Sequence, residues 1–281
     1  MTPSAKFLKN FVRRSVPRPL RNWLRSPSKS IEWIWDSARF SFGVTKTIQF
    51  LPEVPIRLHP HAFKVVCRSQ LADSEQNAEF QNFLSCCHSK MVLFDIGAHY
   101  GLFSLAAARR GGRAVAVDPS AIAVRMIARH VELNRVQPQV RILQAAVSDT
   151  DGELRMLSSG VFSEGYARLV RGRPSSELTK VHATTVDCMT SEFGAPTHIK
   201  IDVEGHEAAA LGGGRETLRR FSPELFLELH TEMVAADGGN PNAALDELDR
   251  LGYETFALDG SPIDRRTILE KSIIRIVARR A

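Results

Sequence analysis

MVLFDIGAHYG, residues 91–101, decides how the rest of the chain is read. Its first half is continuously apolar, as a strand buried on both faces must be. Its second half is a loop bracketed by Gly97 and Gly101, and Phe103–Arg110 follows as a helix closed by Gly111–Gly112. RAVAVD (113–118) reads as the next strand, and Ser120 caps a helix through Leu133 with Ile122, Met126, His130 and Leu133 along one side. VRILQAAV (140–147) is a third strand. After short extended pieces GELRML and HATTVDC around a Gly/Ser-rich loop, the alternation resumes through THIKIDV, PELFLELH (223–230), a helix from Asn242 to Leu251, ETFAL (254–258) and SIIRIVAR (272–279). Ahead of it, FKVVC (63–67) reads as a preliminary strand and Glu79–Leu84 as a short helix. Strands alternating with helices imply an α/β fold with a parallel sheet covered on both faces.

Two segments differ in charge. Residues 1–30 hold eight basic residues and no acid, whereas the remainder carries 29 basic against 31 acidic residues. We therefore divide the chain into a basic N-terminal helical arm, residues 1–43, and a domain of alternating strands and helices, residues 44–281. The arm contains all three tryptophans (Trp23, Trp33, Trp35), with apolar stripes such as Phe7, Leu8, Phe11 and Val12 at helical spacing. That composition fits an interfacial helix and a peripheral contact with a membrane surface. It also fits a partly disordered arm, helices packed on the body or on a second subunit, or a transit peptide. No run approaches the roughly 18 apolar residues of a membrane span, and no secretory signal core is present in the N-terminal stretch. Cys67, Cys86, Cys87 and Cys188 match neither a zinc motif nor a disulfide framework, so a reducing, cytoplasmic setting is expected.

In an open α/β sheet, ligands bind beyond the carboxyl ends of the strands. DIGAHYG (95–101) lies there: its glycines let a ligand approach the backbone, and N–H groups at the helix start favour an anionic group. Asp118, ending the second strand, can accept hydrogen bonds from both hydroxyls of a ribose. A dinucleotide site would want a second glycine where His99 stands, and Asp95 would repel a diphosphate. Asp95 suits an ammonium group instead, and a ligand with an amine, a carboxylate and a ribose is S-adenosylmethionine. The plainer alternative is a tight turn capped by Asp95.

HIKIDVEGHE (198–207) is the second informative stretch. Ile199, Ile201 and Val203 form one side of a strand, while Lys200, Asp202 and Glu204 share the other. Residues two apart on a strand are about 6.6 Å apart, so Lys200 can pair with Asp202. Glu204 and Glu207 could simply decorate the first turn of a helix. The alternative is a reaction centre in which Asp202 and Glu204 orient a hydroxyl and take its proton. Glu228 and His230 end the neighbouring strand and are further candidates for base or substrate contact, while His206 reads as surface. Asp202, Glu204 and Glu228 could offer oxygen ligands, but nothing in their spacing fixes an ion, and no metal is expected.

Taken in order, DIGAHYG, VDP, AAVSD, KIDVEGHE and PELFLELH resemble the FkbM-type methyltransferases over roughly residues 56–260. The resemblance implies S-adenosylmethionine as cofactor, the seven-stranded Rossmann-like class I fold, and O-methylation of a small-molecule, saccharide or lipid-linked hydroxyl. It makes Asp95, Gly97 and Gly101 the methionine-side loop, with His99 where asparagine is common, and Asp118 the ribose acid, where glutamate is common. Rivals from other classes are an RNA methyltransferase gripping phosphates with the basic arm and a non-catalytic S-adenosylmethionine-binding interaction module. IDVEG, acidic and without an aromatic, disfavours nucleic acid at the chemistry. Oligomeric state is not legible.

Overall fold

A computed structural model of the chain describes residues 44–49, 54–67, 74–158, 167–169 and 178–280. The basic arm lies outside them. The described chain begins with β1 (Lys46–Gln49) and β2 (Pro55–Leu58), an antiparallel pair, followed by α1 (Pro60–Val66) and α2 (Ser74–Cys86). Next come β3 (Val92–Ile96), α3 (Leu102–Arg109), β4 (Arg113–Val117), α4 (Ala121–Asn134) and β5 (Val140–Leu143). β6 (Ala146–Val147), β7 (Gly152–Ser158), β8 (Ala167–Leu169) and β9 (Leu178–Thr184) lead into α5 (Val186–Phe193). Then follow β10 (His198–Ile201), α6 (Glu207–Gly212), α7 (Arg215–Phe221), β11 (Glu224–Leu229), α8 (Thr231–Ala236) and α9 (Ala243–Leu251). β12 (Tyr253–Phe256), α10 (Arg265–Leu269) and β13 (Ile274–Arg280) complete the order.

Seven strands form one sheet in the order β12-β13-β11-β10-β3-β4-β5. β5, β4, β3, β10 and β11 are parallel, and β13 runs antiparallel between β11 and β12. The sheet is mixed, with a parallel centre, as the alternation implied. One apolar layer joins Leu93, Phe226 and Val277 to Phe80 and Phe83 of α2 and Leu105 of α3. The other joins Phe94, Ile199 and Leu227 to Leu211, Leu218 and Leu248. In the first layer the rings of Phe80, Phe83, Phe103 and Phe226 meet at centroid distances of 4.8–6.4 Å. Truncating a buried ring such as Phe83 costs about 3–5 kcal/mol.

Several local expectations fail for physical reasons. FKVVC is not a strand: Pro60 begins a helix and the His59 ring caps it by accepting from the His61 N–H, which overrides the β-branched valines. VRILQAAV divides between two sheets. β5 edges the main one, while β6 joins β9, β7 and β8 in a separate four-stranded sheet. HATTVDC changes from strand to helix at Thr185, whose hydroxyl accepts from the Cys188 N–H. On α4 the buried residues are Ala123, Ile127, His130, Val131 and Asn134, a face rotated from the expected stripe. Polar members of that face do hydrogen-bonding work. Asn134 exchanges two hydrogen bonds of 2.8 Å with the Arg57 backbone, and His130 Nε2 accepts from the His59 N–H at 2.9 Å.

Candidate functional site

Strand β3 delivers Asp95 buried at its carboxyl end, where Oδ2 accepts from the Ser104 N–H (3.0 Å) and hydroxyl (2.7 Å). Burial holds its carboxyl above the usual range. The turn that follows is held largely by its own backbone. Gly97 and Ala98 both donate to the Val117 carbonyl, His99 N–H donates to Asp118 Oδ2 at 2.9 Å, and Gly101 donates to the Ala98 carbonyl. The amides of Gly97, Ala98, His99 and Gly101 are thus already committed to the loop.

The glycines also have a different reason than ligand approach. A Cβ on Gly97, at φ +81°, would stand 1.8 Å from the Asp202 carbonyl oxygen. One on Gly101, at φ +74°, would press on Ile127 at 3.2 Å. Both positions are left-handed, where only glycine sits without strain. His99 is left-handed too (φ +52°), with its ring centroid 3.8 Å from that of Tyr100 and the planes tilted by 33°. Asp118, at the end of β4, accepts from the His99 and Ser120 N–H groups, one per oxygen. Burial pushes its carboxyl up to about 7.

Beside this loop, β10 ends at Ile201, so the alternation read through Glu204 stops short. Asp202 and Val203 lead into a turn in which Glu204 is left-handed (φ +53°). Strained backbone in a non-glycine residue concentrates at functional sites. Lys200 is buried beneath α2, and its register neighbours are Asp95 and Phe226. Its nearest partner is not Asp202 but Glu79 of α2: Nζ lies 3.0 Å from Glu79 Oε1, 3.9 Å from Glu228 Oε2 and 4.0 Å from Asp202 Oδ2. Burial alone would lower the Lys200 pKa, but these three carboxylates together raise it. Burial in turn raises Glu79, Asp202 and Glu228. The Asp202 side chain is a third exposed. Arg275 of β13 donates to Glu228 Oε1 at 2.7 Å and approaches Glu79 Oε2 at 3.5 Å.

His230 follows β11 and is 2% exposed. Nδ1 lies 2.8 Å from Glu207 Oε1, which also accepts from the Gly205 N–H. Nε2 faces Glu204 Oε2 and Glu228 Oε1 at 3.6 Å and Asp202 Oδ1 at 4.0 Å. Burial pulls the imidazole toward neutrality, but the Glu207 bond and the surrounding carboxylates push its pKa up to about 9.

All five residues expected at the reaction centre therefore meet in one place. Glu79 and Arg275 were missed. Glu207, weighed only as a first-turn acid, instead holds His230 Nδ1. No local signal joins Glu79 or Arg275 to Lys200. His206, read as surface, has Nε2 3.0 Å from the Ser148 hydroxyl and lines a cleft of ≈ 570 Å³. Glu204, His230, Asp149, Arg155 and Asp237 share that cleft, and Leu154 and Val234 give it apolar walls. The loop and the charged centre lie side by side, joined by the Asp202 N–H donating to the Ile96 carbonyl at 3.0 Å.

The donor set fits S-adenosylmethionine. Each oxygen of buried Asp118 keeps a lone pair for a ribose hydroxyl, and the excess of carboxylates beyond Ile201 suits a cationic sulfur.

A profile of the family described as "Methyltransferase FkbM domain" matches residues 95–255. The AMB antimetabolite synthetase AmbE of Pseudomonas aeruginosa is 28% identical over 204 residues, covering 58% of this chain and 9% of AmbE. The chain thus spans under a tenth of that relative's length. Among solved structures, the methyltransferase FkbM of Methylobacillus flagellatus is 16% identical with a TM-score of 0.45, covering 68% of this chain and 44% of that one. Geranyl diphosphate C-methyltransferase of Streptomyces coelicolor, in complex with S-adenosylhomocysteine, is 15% identical with a TM-score of 0.45, covering 79% and 84%.

Proposed function

The chain belongs to the FkbM methyltransferase family, whose cofactor is S-adenosylmethionine, and from that premise we propose that it methylates a hydroxyl of a saccharide or another small or lipid-linked acceptor. The observation that carries this reading is the charged centre wedged between the Gly97–Gly101 loop and the cleft. Glu204 and His230 line that cleft, and Asp202 lies behind them, 4.0 Å from His230 Nε2, which supports a role for the Asp202–Glu204 pair at an acceptor hydroxyl.

When bound, S-adenosylmethionine supplies an electrophilic methyl group on a cationic sulfur. Asp118 holds the ribose hydroxyls with the lone pairs left by the His99 and Ser120 amides. Asp95, Gly97, His99 and Gly101 fix the loop that borders the methionine end. The Asp202–Glu204 pair orients the acceptor hydroxyl and takes its proton, a role that the raised pKa of Asp202 supports. Lys200 keeps Asp202 and Glu228 in place, and His230 fills the wall between them and the cleft. The acidic cleft, with Asp149, Glu204, Glu207 and Asp237 against Arg155, weighs against a polyanion such as RNA.

Calorimetric titration with S-adenosylmethionine and S-adenosylhomocysteine tests the cofactor half. Micromolar binding is expected, weakened at least tenfold in Asp118→Ala. Labelled methyl transfer to a panel of neutral glycosides tests the acceptor half. Transfer to RNA but to no glycoside would overturn the acceptor reading, and absence of cofactor binding would favour a non-catalytic module.

A further inference from the structure

Five carboxylates, Glu79, Asp202, Glu204, Glu207 and Glu228, converge around the carboxyl ends of β10 and β11, against Lys200, Arg275 and the His230 imidazole, an excess of acids even with that imidazole charged. A buried excess of negative charge is costly unless a cation enters it. The oxygens divide into two sets. Asp202 Oδ2, Glu228 Oε2 and Glu79 Oε1 surround the Lys200 ammonium. Asp202 Oδ1, Glu204 Oε2 and Glu228 Oε1 surround His230 Nε2 instead, at 3.6–4.0 Å.

Those spacings are too long for hydrogen bonds. They lie between the roughly 3.0 Å of neighbouring ligands and the roughly 4.2 Å of opposite ligands around an ion with bonds of about 2.1 Å. The second observation is His230 itself. It is 2% exposed, and its Nε2 has no hydrogen bond and points into the gap. Its Nδ1 is held by Glu207, the outer carboxylate that fixes a metal-binding histidine with Nε2 outward. Ligand atoms of Asp202, Glu228 and His230 all lie within 4.8 Å of one another.

We propose that Asp202, Glu228 and His230 form a divalent metal site, with Glu204 at its rim and Glu207 as the outer partner of His230. This departs from the sequence expectation of no metal. One imidazole nitrogen with two carboxylates suits a first-row ion, Mn²⁺ or Zn²⁺, better than the all-oxygen preference of Mg²⁺ or Ca²⁺. The site stands on its own geometry, but its role rests on the methyl-transfer reading. There the ion holds the acceptor oxygen and lowers the hydroxyl pKa, leaving Glu204 to take the proton.

The test uses the full chain, stripped with EDTA and titrated calorimetrically with MnCl₂ and with ZnCl₂. About one ion per chain is expected, bound at least tenfold more weakly by Asp202→Asn and by His230→Ala, and also weakened in Glu207→Gln. Circular dichroism and S-adenosylhomocysteine binding report whether each variant is folded. If His230→Ala does not fold, the nearly isosteric Asp202→Asn and the Mn²⁺ resonance spectrum of the wild type decide. No stoichiometric binding, or equal affinity in the folded variants, overturns the site. Ion binding without S-adenosylhomocysteine binding would sink the methyl-transfer reading and leave the site standing. The reverse result would sink the site alone.

Discussion

On one side of the candidate site, the loop from Gly97 to Gly101 is held by backbone amides, left-handed glycines and close contact. On the other, Lys200, Asp202, Glu204, Glu228 and His230 are held by charge. The first wall tolerates no added atom at Gly97, because its surface there is pressed against the Asp202 backbone. The second wall has space between its side chains but little tolerance for a lost charge, because Lys200 is the shared partner of Glu79, Asp202 and Glu228. A site for a fixed ligand and a changing reaction can be built from two such walls: one that keeps its shape and one that responds to charge.

Gly97 is where the two walls touch, so it gives the sharpest break. Gly97→Ala combines φ +81° with a Cβ 1.8 Å from the Asp202 carbonyl oxygen. A loss upward of about 4 kcal/mol is expected, seen as little folded protein in urea titration and no cofactor binding. A folded, cofactor-binding variant would show that the first wall is softer than its contacts imply. Next comes Lys200→Met, which leaves Glu79, Asp202 and Glu228 facing one another. Removing one partner of a buried ion pair costs about 3–5 kcal/mol. Lys200→Met combined with Glu79→Met should recover part of that loss, and equal unfolding midpoints for the single and double variants would contradict the charge-built account.

A third test reaches the support behind the first wall. Burial lowers the His130 pKa from the usual 6.5 to about 4, with Nδ1–H donating to the Tyr100 carbonyl and Nε2 accepting from His59. The native state therefore keeps this imidazole neutral while the unfolded chain protonates it. Its contribution is full above about pH 6.5 and is lost as pH falls through about 4, roughly 3 kcal/mol in all. The stability difference between wild type and His130→Gln should shrink over that interval. A difference independent of pH would remove His130 from the account. The smallest effect is expected for Gly101→Ala, where a flexible Ile127 side chain can give way. A loss of about 1–2 kcal/mol with cofactor binding retained is the expected outcome.

The parts legible from sequence were those whose physics is local. MVLFDIG and PELFLELH could only be buried strands, and Ser120 and Asn242 marked helix starts correctly. The residues of the charged cluster drew notice because charge on a central strand contradicts its burial. What stayed hidden depends on distant partners. Lys200 meets Glu79 from a helix far upstream, and Arg275 arrives on the last strand. Gly97 looked like an opening for a ligand because its true neighbour, the Asp202 backbone, is brought there only by the pairing of β3 with β10. FKVVC was misread because its valines argued more loudly than the proline and capping histidine before them.

The Lys200 ammonium also bears on where this family's sequence signal begins and ends. The matched stretch, residues 95–255, includes Lys200, Asp202 and Glu228 but neither Glu79 nor Arg275. Cut at those borders, the segment would keep the charges of the site and lose two of the groups that neutralise them. What is inherited together and what must fold together are therefore different lengths of the same chain, and an excised fragment should be drawn to the second.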